Sequence, residues 1–159
     1  MLAYLSLGSN LGNRDAHLTQ AISSLKEYGK VVLRSSFYET EPVLFTQQPW
    51  FLNCAVALET QLAPKYLLSG LLKIERDLGR VRNPQEKKGP RMIDIDILLY
   101  GNDIVHSPEL NIPHPSMHMR RFVLEPLAEI APQSFHPVLK RTARQLLESL
   151  PPGPVVRKL

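Results

Sequence analysis

Lys87-Lys88-Gly89-Pro90-Arg91-Met92-Ile93-Asp94-Ile95-Asp96-Ile97-Leu98-Leu99-Tyr100 opens basic and rich in glycine and proline, then becomes a hydrophobic run interrupted only by two carboxylates. Read as a β-strand, the run puts Asp94 and Asp96 on one face and Ile93, Ile95 and Ile97 on the other, because side chains alternate along a strand. The Cα atoms of the two acids then lie about 6.6 Å apart, at a rise of about 3.3 Å per residue. Two carboxylates that close repel each other and are costly to bury unless something positive sits between them. A divalent metal meets that need, and Mg²⁺ takes hard oxygen ligands while sharing them with phosphate. Asp-x-Asp alone is equally well a solvent-facing pair on an amphipathic strand. Arg80, Arg82, Lys87, Lys88 and Arg91, just upstream, shift the weighing, although some of a charge run is ordinarily solvated surface. Cations ahead of paired acids suit an anion bridged to metal, as in phosphoryl-transfer sites.

Upstream of this strand, Leu67, Leu68, Leu71, Leu72, Ile74 and Leu78 recur at helical spacing after Pro64, which suits a first helical turn, and Gly79 ends the pattern. Glu75 lies near the end of that helix, and the plain reading of it is a solvated helix face. Before the helix, residues 50–59 form a strand with Asn53 near its start. A buried Asn needs partners for its carbonyl and its NH₂. It is either a satisfied core amide or a reader of a heterocycle edge. Further back come a strand over 31–38, a helix over 15–28, a glycine turn at Gly8-Ser9-Asn10-Leu11-Gly12-Asn13 and a first strand over 2–7. The turn matches neither G-x-G-x-x-G nor the P-loop pattern, so Gly8 is read as a close backbone approach or a special φ, for packing or against a flat ligand.

Downstream the chain is less regular. Gly101-Asn102-Asp103 is a turn, and His114 stands rigidly between Pro113 and Pro115 as either a packed imidazole or a placed phosphate donor. A short helical turn is expected over 126–130, a terminal helix over 142–150 and a frayed tail at 151–154. The order strand, helix, strand, strand, helix, strand is the ferredoxin-like β-α-β-β-α-β pattern. It predicts an α+β fold with an antiparallel sheet, two helices on one face and C-terminal additions.

The chain has 159 residues, 43% hydrophobic and 21% charged, which predicts one globular domain over 1–159. The net charge of +4 implies an anionic partner: a nucleotide, a nucleic acid or a membrane surface. Cys54 is the only cysteine, which excludes an intrachain disulfide. With no leader pattern and no apolar run long enough to cross a bilayer, the expected compartment is the cytoplasm, with no membrane partner.

Seven blocks then carry a resemblance: Gly8-Ser9-Asn10-Leu11, Ser36-Phe37-Tyr38-x-Thr40, Phe51-Leu52-Asn53, Gly79-Arg80-Val81-Arg82, Gly89-Pro90-Arg91-x-x-Asp94-Ile95-Asp96, Pro113-His114 and Arg121-Phe122. In this order the chain resembles the 6-hydroxymethyl-7,8-dihydropterin pyrophosphokinases of folate synthesis, from residue 1 to about residue 130. The resemblance implies a ferredoxin-like fold and transfer of the β,γ-diphosphate of ATP to the pterin hydroxymethyl group, with release of AMP. It implies two Mg²⁺ ions on Asp94 and Asp96, and a catalytic set of Arg82, Arg91, Asp94 and Asp96. ATP would meet Glu75, Arg82, Lys87, Arg91, His114 and Arg120. The pterin would meet Gly8, Thr40, Pro42, Val43, Phe51, Asn53 and Phe122. Lys87-Lys88 stands where a relative has an arginine and then a tryptophan. The expected partners are ATP and the pterin, for a monomer that binds no nucleic acid. Two other classes use similar features. A two-metal phosphohydrolase would need the acids without a pterin pocket. A basic ferredoxin-like RNA-binding module would need an aromatic Lys/Arg-Gly-Phe-type strand, which this sequence lacks.

Overall fold

The computed structural model describes residues 1–42, 49–79 and 92–159. Val43, Arg80, Arg82, Lys87, Lys88 and Arg91 lie outside the described residues. The first half of the chain gives β1 (Leu2–Ser9), α1 (Arg14–Ser24) with a 3₁₀ turn behind it, β2 (Lys30–Arg34), β3 (Tyr38–Thr40), β4 (Phe51–Glu59) and α2 (Pro64–Asp77). The second half gives β5 (Asp94–Tyr100), β6 (Val105–His106), β7 (Asn111–Ile112), α3 (Arg121–Ile130), β8 (Phe135–His136), β9 (Arg141–Thr142), α4 (Ala143–Glu148) and β10 (Val156–Lys158).

The main sheet runs β10-β3-β4-β1-β5, with β2 also on β4, and every pairing is antiparallel. This is the ferredoxin-like order read from the element pattern. The strand expected over 31–38 is split. Ser35 breaks it by taking the Ala55 N–H onto its hydroxyl at 2.8 Å, where a backbone carbonyl would otherwise accept. The Ser35 N–H still donates to the Ala55 carbonyl, so β2 and β3 both stay on β4.

Both sheet faces are covered. On one, Leu5, Leu7, Val56, Leu58, Ile95 and Ile97 pack with Leu18 and Ile22 of α1 and Leu67, Leu71 and Ile74 of α2. Truncating one such side chain, for example Leu71, costs about 2–5 kcal/mol on the scale of core Leu→Ala changes. On the other face, Ala55, Leu98 and Leu99 pack under Val123, Leu124 and Leu127 of α3 and Leu146 of α4. Leu98 and Leu99 are consecutive and both buried there because β5 carries a bulge: Tyr4 stands opposite Leu99 and Leu5 opposite Ile97.

The C-terminal part departs from expectation in two places. The helix expected to begin at Pro126 begins at Arg121 and holds Pro126 inside it. Proline suits a first helical turn, which misplaced the start, and here it only forgoes one bond to the Phe122 carbonyl. Beyond the exposed 151–154 segment the tail does not fray, because Val156, Arg157 and Lys158 pair with Thr40, Glu39 and Tyr38. Among the described residues no helix is long and apolar enough to cross a membrane.

Candidate active site

β1 lies between β4 and β5, and its end sets the register of the site. Gly8 pairs with Asn53 on one side and Asp94 on the other, while Ser6 pairs with Ala55 and Asp96. Residues directly opposite in an antiparallel sheet turn their side chains to the same face. Asn53, Asp94 and Asp96 therefore share the face covered by α3, and the opposite face is filled by Leu7, Ile95 and the α1/α2 core. Two strand spacings, about 10 Å, separate the Asn53 and Asp94 backbones.

Asn53 is 4% exposed, and its Nδ2 donates to the buried Thr40 hydroxyl at 2.6 Å. Its Oδ1 lies over Gly8, 2.6 Å from where a Cβ on that residue would sit, with the Phe51 ring 3.6 Å from the same point. Close approach, rather than a positive φ, is thus what position 8 requires. Thr40 accepts from Asn53 and keeps its own O–H to donate, so Thr40 and Asn53 together present a donor and an acceptor. Pro42, just beyond Thr40, is buried. Residues 49 and 50, just ahead of β4, are tied to the chain around the start of α1: Asn10 Nδ2 donates to the Pro49 carbonyl at 3.1 Å, and Arg14 Nη1 to the Trp50 carbonyl at 2.9 Å. No sequence signal pointed to that anchoring role.

His114 reaches the carboxylate pair through the bulge. Its backbone N–H donates to the Leu98 carbonyl at 2.9 Å, and its Nε2 stands 3.9 Å from Asp96 Oδ2. The Ser116 N–H donates to His114 Nδ1 at 3.1 Å, so the neutral ring carries its proton on Nε2, facing the acid. The imidazole is therefore oriented, with its Nε2 side toward Asp96. Arg120 and Phe122 come from the start of α3. The Arg120 guanidinium lies 5.6 Å from the Phe122 ring centroid, and the ring packs on the cluster holding Ala55 and Leu98, the face of Asn53 and Asp96.

Glu75 is not on a solvated helix face. It is 2% exposed, and its Oε2 accepts the Ile95 N–H at 2.8 Å, between the two aspartates. Asp94 and Asp96 are partly exposed, the Asp96 side chain 39% so. Among the described residues no cluster of three or more His, Cys, Asp or Glu side chains could hold a metal ion. Two carboxylates still fit Mg²⁺, which is usually bound by one or two carboxylates with substrate phosphates and water completing its shell.

The fold and this face define a ferredoxin-like α+β protein with a paired-carboxylate site beside a buried amide. The family model described as 7,8-dihydro-6-hydroxymethylpterin-pyrophosphokinase matches residues 4–132, and the chain belongs to this family. It is 45% identical over 134 residues to the Bacillus subtilis 2-amino-4-hydroxy-6-hydroxymethyldihydropteridine pyrophosphokinase, covering 83% of this chain and 79% of that one. The Methylorubrum extorquens protein of the same name is 45% identical over 157 residues, 98% of this chain and 97% of that one. An Arabidopsis thaliana folate synthesis bifunctional protein is 46% identical over 127 residues, which is 79% of this chain and 26% of that longer one. The crystal structure of Plasmodium falciparum HPPK-DHPS with pteroate shares the fold at a TM-score of 0.74 and 18% identity, over 92% of this chain and 42% of that one.

Proposed function

We propose that this chain transfers the β,γ-diphosphate of ATP to the hydroxymethyl group of 6-hydroxymethyl-7,8-dihydropterin, giving AMP and the pterin diphosphate for folate synthesis. The observation that carries the reading is the single register row Asp94–Gly8–Asn53 across three strands. It sets the Asp94 carboxylate and the Asn53 amide about 10 Å apart, a span that a pterin with a hydroxymethyl arm can bridge.

Thr40 and Asn53 hold the pterin edge by donating and accepting, with Phe51 and Phe122 flanking the ring and Gly8 and Pro42 close by; Val43 takes its pterin role from the family resemblance. Asp94 and Asp96 would hold two Mg²⁺ ions, which when bound would neutralise phosphate charge and acidify the acceptor hydroxyl. His114 donates its Nε2–H to a phosphate oxygen, and Arg120 lends a positive group. Arg82, Lys87 and Arg91 take their phosphate roles from the family resemblance. The hydroxymethyl oxygen attacks the β-phosphorus in line, the bond from that phosphorus to the AMP oxygen breaks, and the hydroxyl proton passes to solvent. No general base is required where positioning and electrostatics lower the barrier. The acting unit is one domain over residues 1–159, a cytoplasmic monomer without a nucleic-acid or membrane partner.

The test is nucleotide chromatography after incubation with MgATP, with and without the pterin, on wild type, Asp94→Asn and Asp96→Asn. AMP should appear in step with the pterin diphosphate, EDTA should stop it, and each variant should stay folded with kcat cut severely. Release of ADP, or equal AMP without the pterin, would refute the assignment in favour of a γ-phosphoryl kinase or a hydrolase. Full activity in both variants would refute the metal roles alone.

A further inference from the structure

The last turn of α2 places a carboxylate where its other buried positions are apolar. Leu67, Leu71 and Ile74 line the buried face of this helix, and Glu75 lies on the same face, four residues after Leu71. A buried carboxylate is costly unless polar groups meet it. The Ile95 N–H meets it at 2.8 Å.

That amide has a distinctive place in the sheet. Along an antiparallel pair, residues that exchange hydrogen bonds alternate with residues that do not. β5 follows β1 at the end of the strand order. The Ile95 N–H that donates to Glu75 is directed away from β1, so the bonded positions on the β1 side are its neighbours Asp94 and Asp96, opposite Gly8 and Ser6. The aspartates are thus held from inside the sheet and the residue between them from outside. The helix end is fixed nearby as well: Gly79 has φ +92, and the Met92 sulfur lies 2.9 Å from where a Gly79 Cβ would sit.

We propose that Glu75 is a positioning residue. Through the Ile95 amide it fixes the pleat of β5, and so the spacing and direction in which Asp94 and Asp96 present their carboxylates to metal. This proposal rests on the metal reading above. It assigns Glu75 an action through the backbone of the ligand strand in place of direct contact with the nucleotide.

Two substitutions separate reach from charge. Glu75→Gln keeps the length and one acceptor oxygen but removes the charge. Glu75→Asp keeps the charge but withdraws the carboxylate from Ile95 by one methylene. Mn²⁺ is titrated by electron paramagnetic resonance into folded protein with a non-hydrolysable ATP analogue, and the Ile95 amide is followed by ¹⁵N-resolved NMR. The expected result is wild-type affinity and an Ile95 amide still protected from solvent exchange in Glu75→Gln. In Glu75→Asp, Mn²⁺ affinity falls by about tenfold or more, the usual scale for a group that orients a metal ligand. Lost affinity in Glu75→Gln, or full affinity in Glu75→Asp, overturns the proposal. If Glu75→Asp does not fold, Glu75→Gln decides: retained affinity with retained Ile95 protection supports the proposal, and loss of either overturns it. Wild-type protein that binds no Mn²⁺ alongside the nucleotide refutes the metal reading itself, and the proposal falls with it.

Discussion

At position 8 even a methyl group collides with the Asn53 amide. A Cβ there would sit 2.6 Å from Oδ1, and the amide cannot swing away without breaking its 2.6 Å bond to Thr40. If the proposed pterin pocket holds, Gly8→Ala should therefore act on it through Asn53. Displacing the amide leaves buried polar atoms unpaired, so pterin affinity should fall by about 1–3 kcal/mol, while affinity for an ATP analogue is nearly unchanged. Asn53→Ala should show the same imbalance. Calorimetry with each ligand checks this, and equal losses for both would remove the reading role from Asn53. Part of this was legible in the chain. An amide inside an apolar run demands partners, which singled out Asn53, and a glycine at a strand end demands a reason. That the reason is Asn53 was not legible, because cross-strand register depends on which strands become neighbours.

Among the elements, α3 is held to the sheet edge by one carboxylate. Glu129 accepts from the Ser36 N–H at 3.0 Å, the Ser36 hydroxyl at 3.1 Å and the Tyr38 hydroxyl at 2.6 Å, with Lys158 Nζ at 3.7 Å. One side chain thus joins α3 to β3 and β10. Burial alone would raise its pKa, but the hydrogen bonds from Tyr38 and Ser36 and the charge of Lys158 outweigh that and hold it below the ordinary value. Burial first, and then the bond to Glu129, push the Tyr38 phenol up. A carboxylate with a depressed folded pKa stabilises the protein above its unfolded value near 4.5 and loses that contribution as pH falls through the folded one. Glu129→Gln should therefore cost about 1–3 kcal/mol at neutral pH, the scale of hydrogen bonds to a charged group. The gap to wild type should narrow as pH drops below 4.5 in denaturant titrations. A gap independent of pH would mean that the charge contributes nothing. The sequence placed Glu129 in a helical turn over 126–130 and Tyr38 in a strand over 31–38, but not β10, which lay beyond a segment taken for a frayed end.

Over the whole molecule, the C-terminal hairpin of β8 and β9 carries a histidine that couples folding to pH. His136 is 6% exposed, and its Nδ1 accepts the backbone N–H groups of Val138 at 3.3 Å and Leu139 at 3.0 Å. The His118 ring meets it edge-on, with centroids 6.4 Å apart, on the turn that leads to Arg120 and Phe122. Burial first, and then the His118 charge, lower the His136 pKa from 6.5. The folded protein thus keeps a neutral ring while the unfolded chain takes up a proton, so stability falls as pH is lowered from 6.5 to the folded value and then levels. His136→Asn keeps an acceptor near Nδ1 and cannot titrate. Its Tm should fall less than that of wild type as pH is taken down from 6.5, and parallel curves in thermal melts would refute this account.

The sequence by itself determined what periodicity and local chemistry control: the β-α-β-β-α-β order, the apolar stripe of α2, the shared face of Asp94 and Asp96, and the motif order that carries the family. The first three follow from side-chain spacings of 2 and about 3.6 residues, which any short window displays, and the last from the resemblance of seven short blocks. Only the tertiary structure decided that Gly8 lies between Asn53 and Asp94, that the Leu98 bulge brings His114 to Asp96, and that Glu75 turns inward to the Ile95 amide. Each depends on which distant segments pack together. A helix position facing water and one facing a neighbouring strand have the same spacing in the chain, and only burial and hydrogen-bond demand tell them apart.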